Sequence, residues 1–276
     1  MDSTREKGDV RGFLGAVGEQ RAPHPLRWLL TRQTFWVTLA TLIACVVAAT
    51  LNFVIEKVAY KPLRTSPRLA PLITAIGMSI LLQTLAMIIW KPNYKPYPTL
   101  LPSTPFQLGG AYITPTQILI LGVTAVALAS LVYLVNHTNL GRAMRATAEN
   151  PRVASLMGVK PYMVISATFI IGAILAAIAG IMYASNYGTA QHTMGFLPGL
   201  KAFTAAVFGG IGNLAGAVVG GILLGLIEAI GSGYIGTLTG GLLGSHYTDI
   251  FAFIVLIIIL TLRPSGLLGE RVADRA

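Results

Sequence analysis

Apolar runs alternate with short charged loops along most of this chain. Phe35–Ile55, Leu69–Trp90, a run from Thr114–Pro115 to about Val135, and Pro161 to about Ala184 are each almost free of charge. A helix needs about 20 apolar residues to cross a bilayer, so the pattern predicts four spans. Two starts carry their own signal: Thr114 then Pro115, and Asn150 then Pro151, place a capping side chain before a proline at the first helical position. The loop after the first run holds Lys57, Lys61, Arg64 and Arg68 against Glu56. The excess of basic residues predicts that it is cytoplasmic. Residues 91–114 carry two charges and 186–200 carry none of Lys, Arg, Asp or Glu, so both are expected outside.

Residues 201–235 depart from this pattern. The stretch is apolar enough to cross, yet it contains Gly209, Gly210, Gly212, Gly216, Gly220, Gly221 and Gly225. The cluster FGGIGN, which includes Asn213, favours a break: a half-helix Lys201–Phe208, then a glycine-faced helix Leu214–Ile230. Gly212, Gly216 and Gly220 are four apart, as are Gly221 and Gly225, so small residues line a face where another helix can come close. A continuous, kinked helix is the other reading. A last span, His246–Arg263, has Ser245 as its cap, Asp249 in its first turn and Pro264 as its stop. The tail, with Arg263, Arg271 and Arg275 against Glu270 and Asp274, is expected inside. With the fourth span ending outside, residues 201–235 must then enter and return.

Gly141–Val159 is the most charged interior segment. Asn150 caps and Gly158 stops an expected two-turn helix, Pro151–Met157. Arg142, Arg145 and Glu149 fall on one helical face just before it. The segment is either a basic loop that sets topology or a docking helix that receives force from a cytoplasmic partner.

The chain has 276 residues, of which 54% are hydrophobic and 11% charged, with 30 glycines. This composition defines an all-α, polytopic transmembrane helical bundle with a glycine-rich broken or re-entrant helix. The net charge of +10 sits mostly in loops and tails beside apolar spans, where it sets orientation and needs no nucleic acid. Three parts are expected: a polar segment 1–34 without regular structure, a membrane domain 35–263, and a cytoplasmic tail 264–276. Counting back from the Lys57 loop puts residues 1–33 outside, although they hold six basic residues and four acids. No Gly-Lys dipeptide occurs, which excludes the phosphate-cradling ATP loop. His24, His137, His192 and His246 are scattered, which argues against a metal site. Inside the spans the polar groups are Asn52, Gln83 and Glu228. Glu228 either ties helices together or meets the transported solute. Gln83 shares a face with Ser79, and Lys201 is expected to reach up to the interface.

Several stretches resemble one family: EKVAYKPLR (Glu56–Arg64), SPRLAPLITAIGMSILLQ (Ser66–Gln83), GRAMRATAENPRVASLMGV (Gly141–Val159), GLKAFTAAVFGGIGNLAGAVVGGILLGLIEA (Gly199–Ala229) and RPSGLLG (Arg263–Gly269). Together they are similar to the LivH-type permease of bacterial branched-chain amino acid ABC transporters. The resemblance implies a multi-pass inner-membrane subunit that works with a second permease, two cytoplasmic ATP-binding subunits and a periplasmic binding protein. It implies no cofactor in this chain, since ATP is used by the partners. The family's ATPase-coupling loop matches Gly141, Arg142, Arg145, Glu149, Asn150, Pro151, Ala154, Ser155 and Gly158. Gln83 and Glu228 are the pathway candidates, and Gly209–Gly221 the helix break and packing face. The family opens with two apolar segments that residues 1–33 do not match, which leads us to expect a displaced start, an upstream frameshift or a truncation. An ATP-independent carrier or channel for small polar solutes is the alternative function; sugar permeases of the same superfamily are the nearest alternative substrate class. A membrane-embedded enzyme is the weakest reading, for want of an acid–base or metal constellation in the spans.

Overall fold

The computed structural model describes residues 25–65, 67, 70–97, 106–108, 111–210, 212–238, 250, 254, 257–258, 261 and 266–269. The helices are α1 (Pro25–Ile55), α2 (Ala70–Trp90), α3 (Pro115–His137), α4 (Asn139–Glu149), α5 (Pro151–Leu156), α6 (Pro161–Tyr187), α7 (Phe196–Gly209) and α8 (Leu214–Leu238). A π-turn, Glu56–Tyr60, continues α1. Among the described residues five helices are long and apolar enough to cross a membrane, at Phe35–Tyr60, Ile73–Trp90, Pro115–His137, Pro161–Tyr187 and Leu214–Tyr234.

Among the described residues, strand is confined to two short antiparallel pairs. The strands β1 (Lys95–Pro96) and β4 (Thr189–Ala190) align Lys95 with Ala190; β2 (Phe106–Leu108) and β3 (Ala111–Ile113) align Gln107 with Tyr112. All four lie in segments expected to be loops. Apolar periodicity does not announce pairs this short.

The expected boundaries of α2, α3, α5 and α6 hold to within about three residues. Thr114 forms a full capping box with Gln117 at the start of α3. By contrast, α1 begins at Pro25, ten residues ahead of the apolar run. Residues 25–34 are therefore helical, against the expectation of no regular structure before residue 35. Proline at the first helical position and a helix already committed downstream account for the extension. Residues 1–24, the cap at Ser245, Asp249 and most of the span His246–Arg263 lie outside the described residues.

The chain divides into two compact units, Met1–Thr74 with Lys95–Ala190, and Ala75–Tyr94 with Gln191–Ala276. In the first unit α1 packs antiparallel on α6. Cys45 Sγ faces the Ile174 carbonyl at 4.0 Å, Asn52 Nδ2 donates to the Phe169 carbonyl at 2.7 Å, and Ser166 Oγ donates to Glu56 Oε2 at 2.8 Å. Residue numbers rise along one helix as they fall along the other. The Lys57–Lys61 turn therefore sits at the N-terminal end of α6, the end where α4 and α5 also pack. The two basic loops share one end of this unit, and the β1–β4 pair follows from the other end of α6.

In the second unit α7 and α8 form an antiparallel hairpin, so the chain reverses direction within residues 201–235. Ala205, Leu224 and Ile227 pack together inside it.

Candidate functional site

Three features carry chemistry: the α4–α5 segment, the helix break, and a few polar groups inside the spans.

Thr138 opens α4 by accepting from the Gly141 N–H at 3.1 Å. Gly141 is buried, and a Cβ there would meet the carbonyl oxygens of Val135 and Leu134. The sharp α3–α4 turn therefore requires glycine. Arg145 donates to the Val135 carbonyl and, at 3.4 Å, to Asn136 Oδ1; Arg142 donates to Asn139 Oδ1. Both arginines thus brace the end of α3 and the start of α4, a local role that the charge pattern did not reveal. An arginine at a helix C-terminus also meets the negative end of its dipole.

Asn150 caps α5 as expected, its Oδ1 accepting from the Arg152 and Val153 N–H groups at 3.1 and 3.2 Å. Such a cap stabilises a helix by about 1 kcal/mol. Gly158, with φ +83°, ends the turn in the left-handed region, and the Val159 N–H closes onto the Ala154 carbonyl. Ala154 is buried against the bundle, whereas Leu156 and Met157 are 86% and 81% exposed. Pro151, Ser155 and Glu149 are exposed as well. The result is a short, doubly capped helix that holds an apolar tip away from the rest of its unit.

The break lies where FGGIGN predicts it. The half-helix α7 is longer than expected at its start, beginning at Phe196 rather than Lys201, and α8 runs on to Leu238. At the crossing, a Cβ on Gly209 would meet the backbone of Gly216, one on Gly216 would meet the Gly209 carbonyl, and one on Gly220 would meet Gly209 N at 2.8 Å. These three glycines make the close contact. Gly212 and Gly221 do not: a Cβ at either meets nothing within 4 Å. Gly212 sits in the turn at φ +93°, and Gly221 points about 100° away from Gly220 around α8.

Among the described residues, backbone at the break finds partners in a segment far along the chain. The Leu267 and Leu268 N–H groups donate to the Phe208 and Gly209 carbonyls at 2.9 and 3.0 Å, and Asn213 Nδ2 donates to the Leu268 carbonyl at 2.9 Å. Asn213 Oδ1 accepts from the Gly216 N–H at 3.1 Å and so caps α8. Gly210, at φ +115°, has no room for a Cβ against Gly269. Irregular backbone at membrane depth must be satisfied by protein, and here the segment 266–269 does so. That segment belongs to the stretch 264–276, expected to be a cytoplasmic tail.

Of the polar groups, Gln83 donates to Ser79 Oγ one turn earlier in α2 at 3.0 Å. Glu228 Oε1 and Lys201 Nζ form an ion pair at 3.1 Å across the hairpin. Lys201 thus meets the acid that the antiparallel partner helix brings within range. The sequence reading missed Glu56, taking it only as the end of the first span. It is 1% exposed, the largest fully buried side chain among the described residues. The signal that could have found it is an acid directly continuing an apolar run, because a buried carboxylate needs partners.

Five membrane-length helices among the described residues define a multi-pass helical membrane protein. The comparisons specify the class. A family model described as "Branched-chain amino acid transport system / permease component" matches residues 25–260. The chain belongs to this family. It is 43% identical over 229 residues to the high-affinity branched-chain amino acid transport system permease protein BraD of Pseudomonas aeruginosa, covering 82% of this chain and 72% of that protein. It is 40% identical over 232 residues to LivH of Escherichia coli K12, with the same shares covered. A probable branched-chain amino acid transport permease of Methanocaldococcus jannaschii is 30% identical over 148 residues, covering 53% of this chain and 46% of that one. No solved structure matches the chain.

Proposed function

We propose that this chain is the membrane-spanning permease subunit of a bacterial inner-membrane importer of branched-chain amino acids. It works with a second permease subunit, two cytoplasmic ATP-binding subunits and a periplasmic binding protein. The family membership carries the transport reading, and the α4–α5 segment supports the coupling role. A helix that transmits force needs a rigid mount and a protruding contact. Gly141 and Arg145 fix the mount to α3, and Arg142 braces the start of α4; Asn150, Pro151 and Gly158 shape α5; Ala154 seats it; and Leu156 and Met157 offer apolar surface to a partner.

The segment then faces the cytoplasm. Ser155→Cys is expected to crosslink to the ATP-binding subunit in inverted vesicles; reaction with an impermeant thiol reagent from the periplasmic side alone would reject the topology. The energy source is tested by reconstitution. In liposomes, import of leucine, isoleucine or valine is expected only when ATPases, binding protein and ATP are all present. The chain alone is expected to bind amino acid weakly. Counterflow by the chain without ATP, or micromolar leucine binding to it by calorimetry, would favour an ATP-independent carrier.

A further inference from the structure

The Lys201–Glu228 ion pair sits awkwardly as a mere fastener. The hairpin is already clamped where Gly209, Gly216 and Gly220 bring the two backbones together, and Ala205, Leu224 and Ile227 fill the next turns. Removing two charges from water costs several kcal/mol per ion in an apolar setting, and apolar side chains of similar volume often hold helices better. Ionisable residues within membrane helices mark solute or ion paths more often than they mark packing. The Lys201 and Glu228 side chains are 29% and 24% exposed, so the pair lies at the surface of the hairpin and not sealed inside it. Each lies one helical turn beyond an apolar core residue, Ala205 on α7 and Leu224 on α8. Lys201 is in the second turn of α7, near the uncharged loop 186–200 that the charge pattern puts on the outer side.

The geometry points to Lys201 and Glu228 as a transfer site for the charged head of a zwitterionic α-amino acid, the ammonium meeting Glu228 and the carboxylate meeting Lys201. This rests on the import reading and adds the groups that handle the substrate's charges. An α-amino acid carries a fixed positive and a fixed negative charge a few ångströms apart, as the pair itself does. Docking head to tail beside the pair turns one ion pair into two. No net charge enters the apolar region, and no charge is left alone at any stage. Release restores the original pair, so the site favours passage over retention, as a permease served by a binding protein requires. A solute with one charge would break the pair and strand one member of it.

Two measurements decide the inference. In the purified chain, millimolar leucine is expected to slow modification of Glu228 by dicyclohexylcarbodiimide several-fold, read on the Glu228 peptide by mass spectrometry. Isovalerate, which keeps only the carboxylate, and isoamylamine, which keeps only the ammonium, are expected to give no protection. Equal protection by either, or none by leucine, overturns the proposal. In the reconstituted complex, Glu228→Gln is expected to keep near-normal assembly while import falls at least tenfold, with stimulated ATP hydrolysis retained. The double exchange Lys201→Glu with Glu228→Lys re-forms the ion pair with reversed polarity. It is expected to assemble normally yet import less than a tenth of the wild-type rate, because the substrate must reverse its head against an unchanged route. Full import by the exchanged pair would show a purely structural tie. A wild-type complex that imports no amino acid overturns the import reading instead, and protection in the isolated chain still decides the zwitterion site.

Discussion

Gly216→Leu is expected to abolish assembly of the transporter, and with it all import. The cause is local. Even the first carbon of a side chain at residue 216 would overlap the Gly209 carbonyl, which belongs to α7's last turn and is held by the Leu268 N–H at 3.0 Å. Backbone cannot yield as a flexible side chain does, so the hairpin must open. Overpacking a well-fitted core costs about 1–3 kcal/mol when side chains can adjust, and here they cannot, so the larger end of that range is the minimum expected. Membrane abundance of the chain and its co-purification with the ATPase subunits report the result. Gly221→Leu is the control on the same helix: a Cβ there meets nothing within 4 Å, so the chain's abundance is expected to be unchanged. Normal assembly of Gly216→Leu would remove the close glycine contact from the account of this fold.

Glu56→Ala is expected to be comparably damaging in the first unit. The carboxylate is 1% exposed and accepts from Ser166 Oγ at 2.8 Å, joining the π-turn that ends α1 to the first turns of α6. Truncation leaves a cavity and takes the carboxylate acceptor from the Ser166 hydroxyl, together costing roughly 2–4 kcal/mol. Glu56→Gln keeps the volume and an acceptor oxygen, so most of the stability is expected to return. Thermal unfolding of the purified chain in detergent, followed by aggregation or by accessibility of Cys45, separates the two variants. Equal melting of Glu56→Ala and wild type would show that the buried carboxylate contributes nothing to joining α1 and α6.

What could be read in advance followed from local chemistry. Thr114–Pro115 and Asn150–Pro151 mark helix starts through side-chain caps and a missing N–H, both settled within four residues. FGGIGN marks the break because glycine is a poor helix former wherever it lies. The apolar runs mark the spans by length alone. What could not be read depends on partners distant along the chain. Ser166 is 110 residues from Glu56, and Leu268 is 55 from Asn213. Which glycines touch depends on the rotation of α8 against α7, so the four-residue spacing selected Gly216 and Gly220 correctly but added Gly212 and missed Gly221's outward turn. Arg145 looked like surface charge, and only the fold back of α4 onto α3 gives it carbonyl and amide oxygens to hold.

The carbonyls of Phe208 and Gly209 have a consequence for how the protein is made. Both receive N–H groups from Leu267 and Leu268. A ribosome completes the hairpin's own glycine crossing well before it reaches those two leucines. For that interval the break's carbonyls face the bilayer or the insertion machinery without their final donors. The second unit therefore cannot close co-translationally by its hairpin alone. The bonds to Phe208 and Gly209 form only as Leu267 and Leu268 fold back, so a chain stalled before residue 267 leaves both carbonyls without these donors.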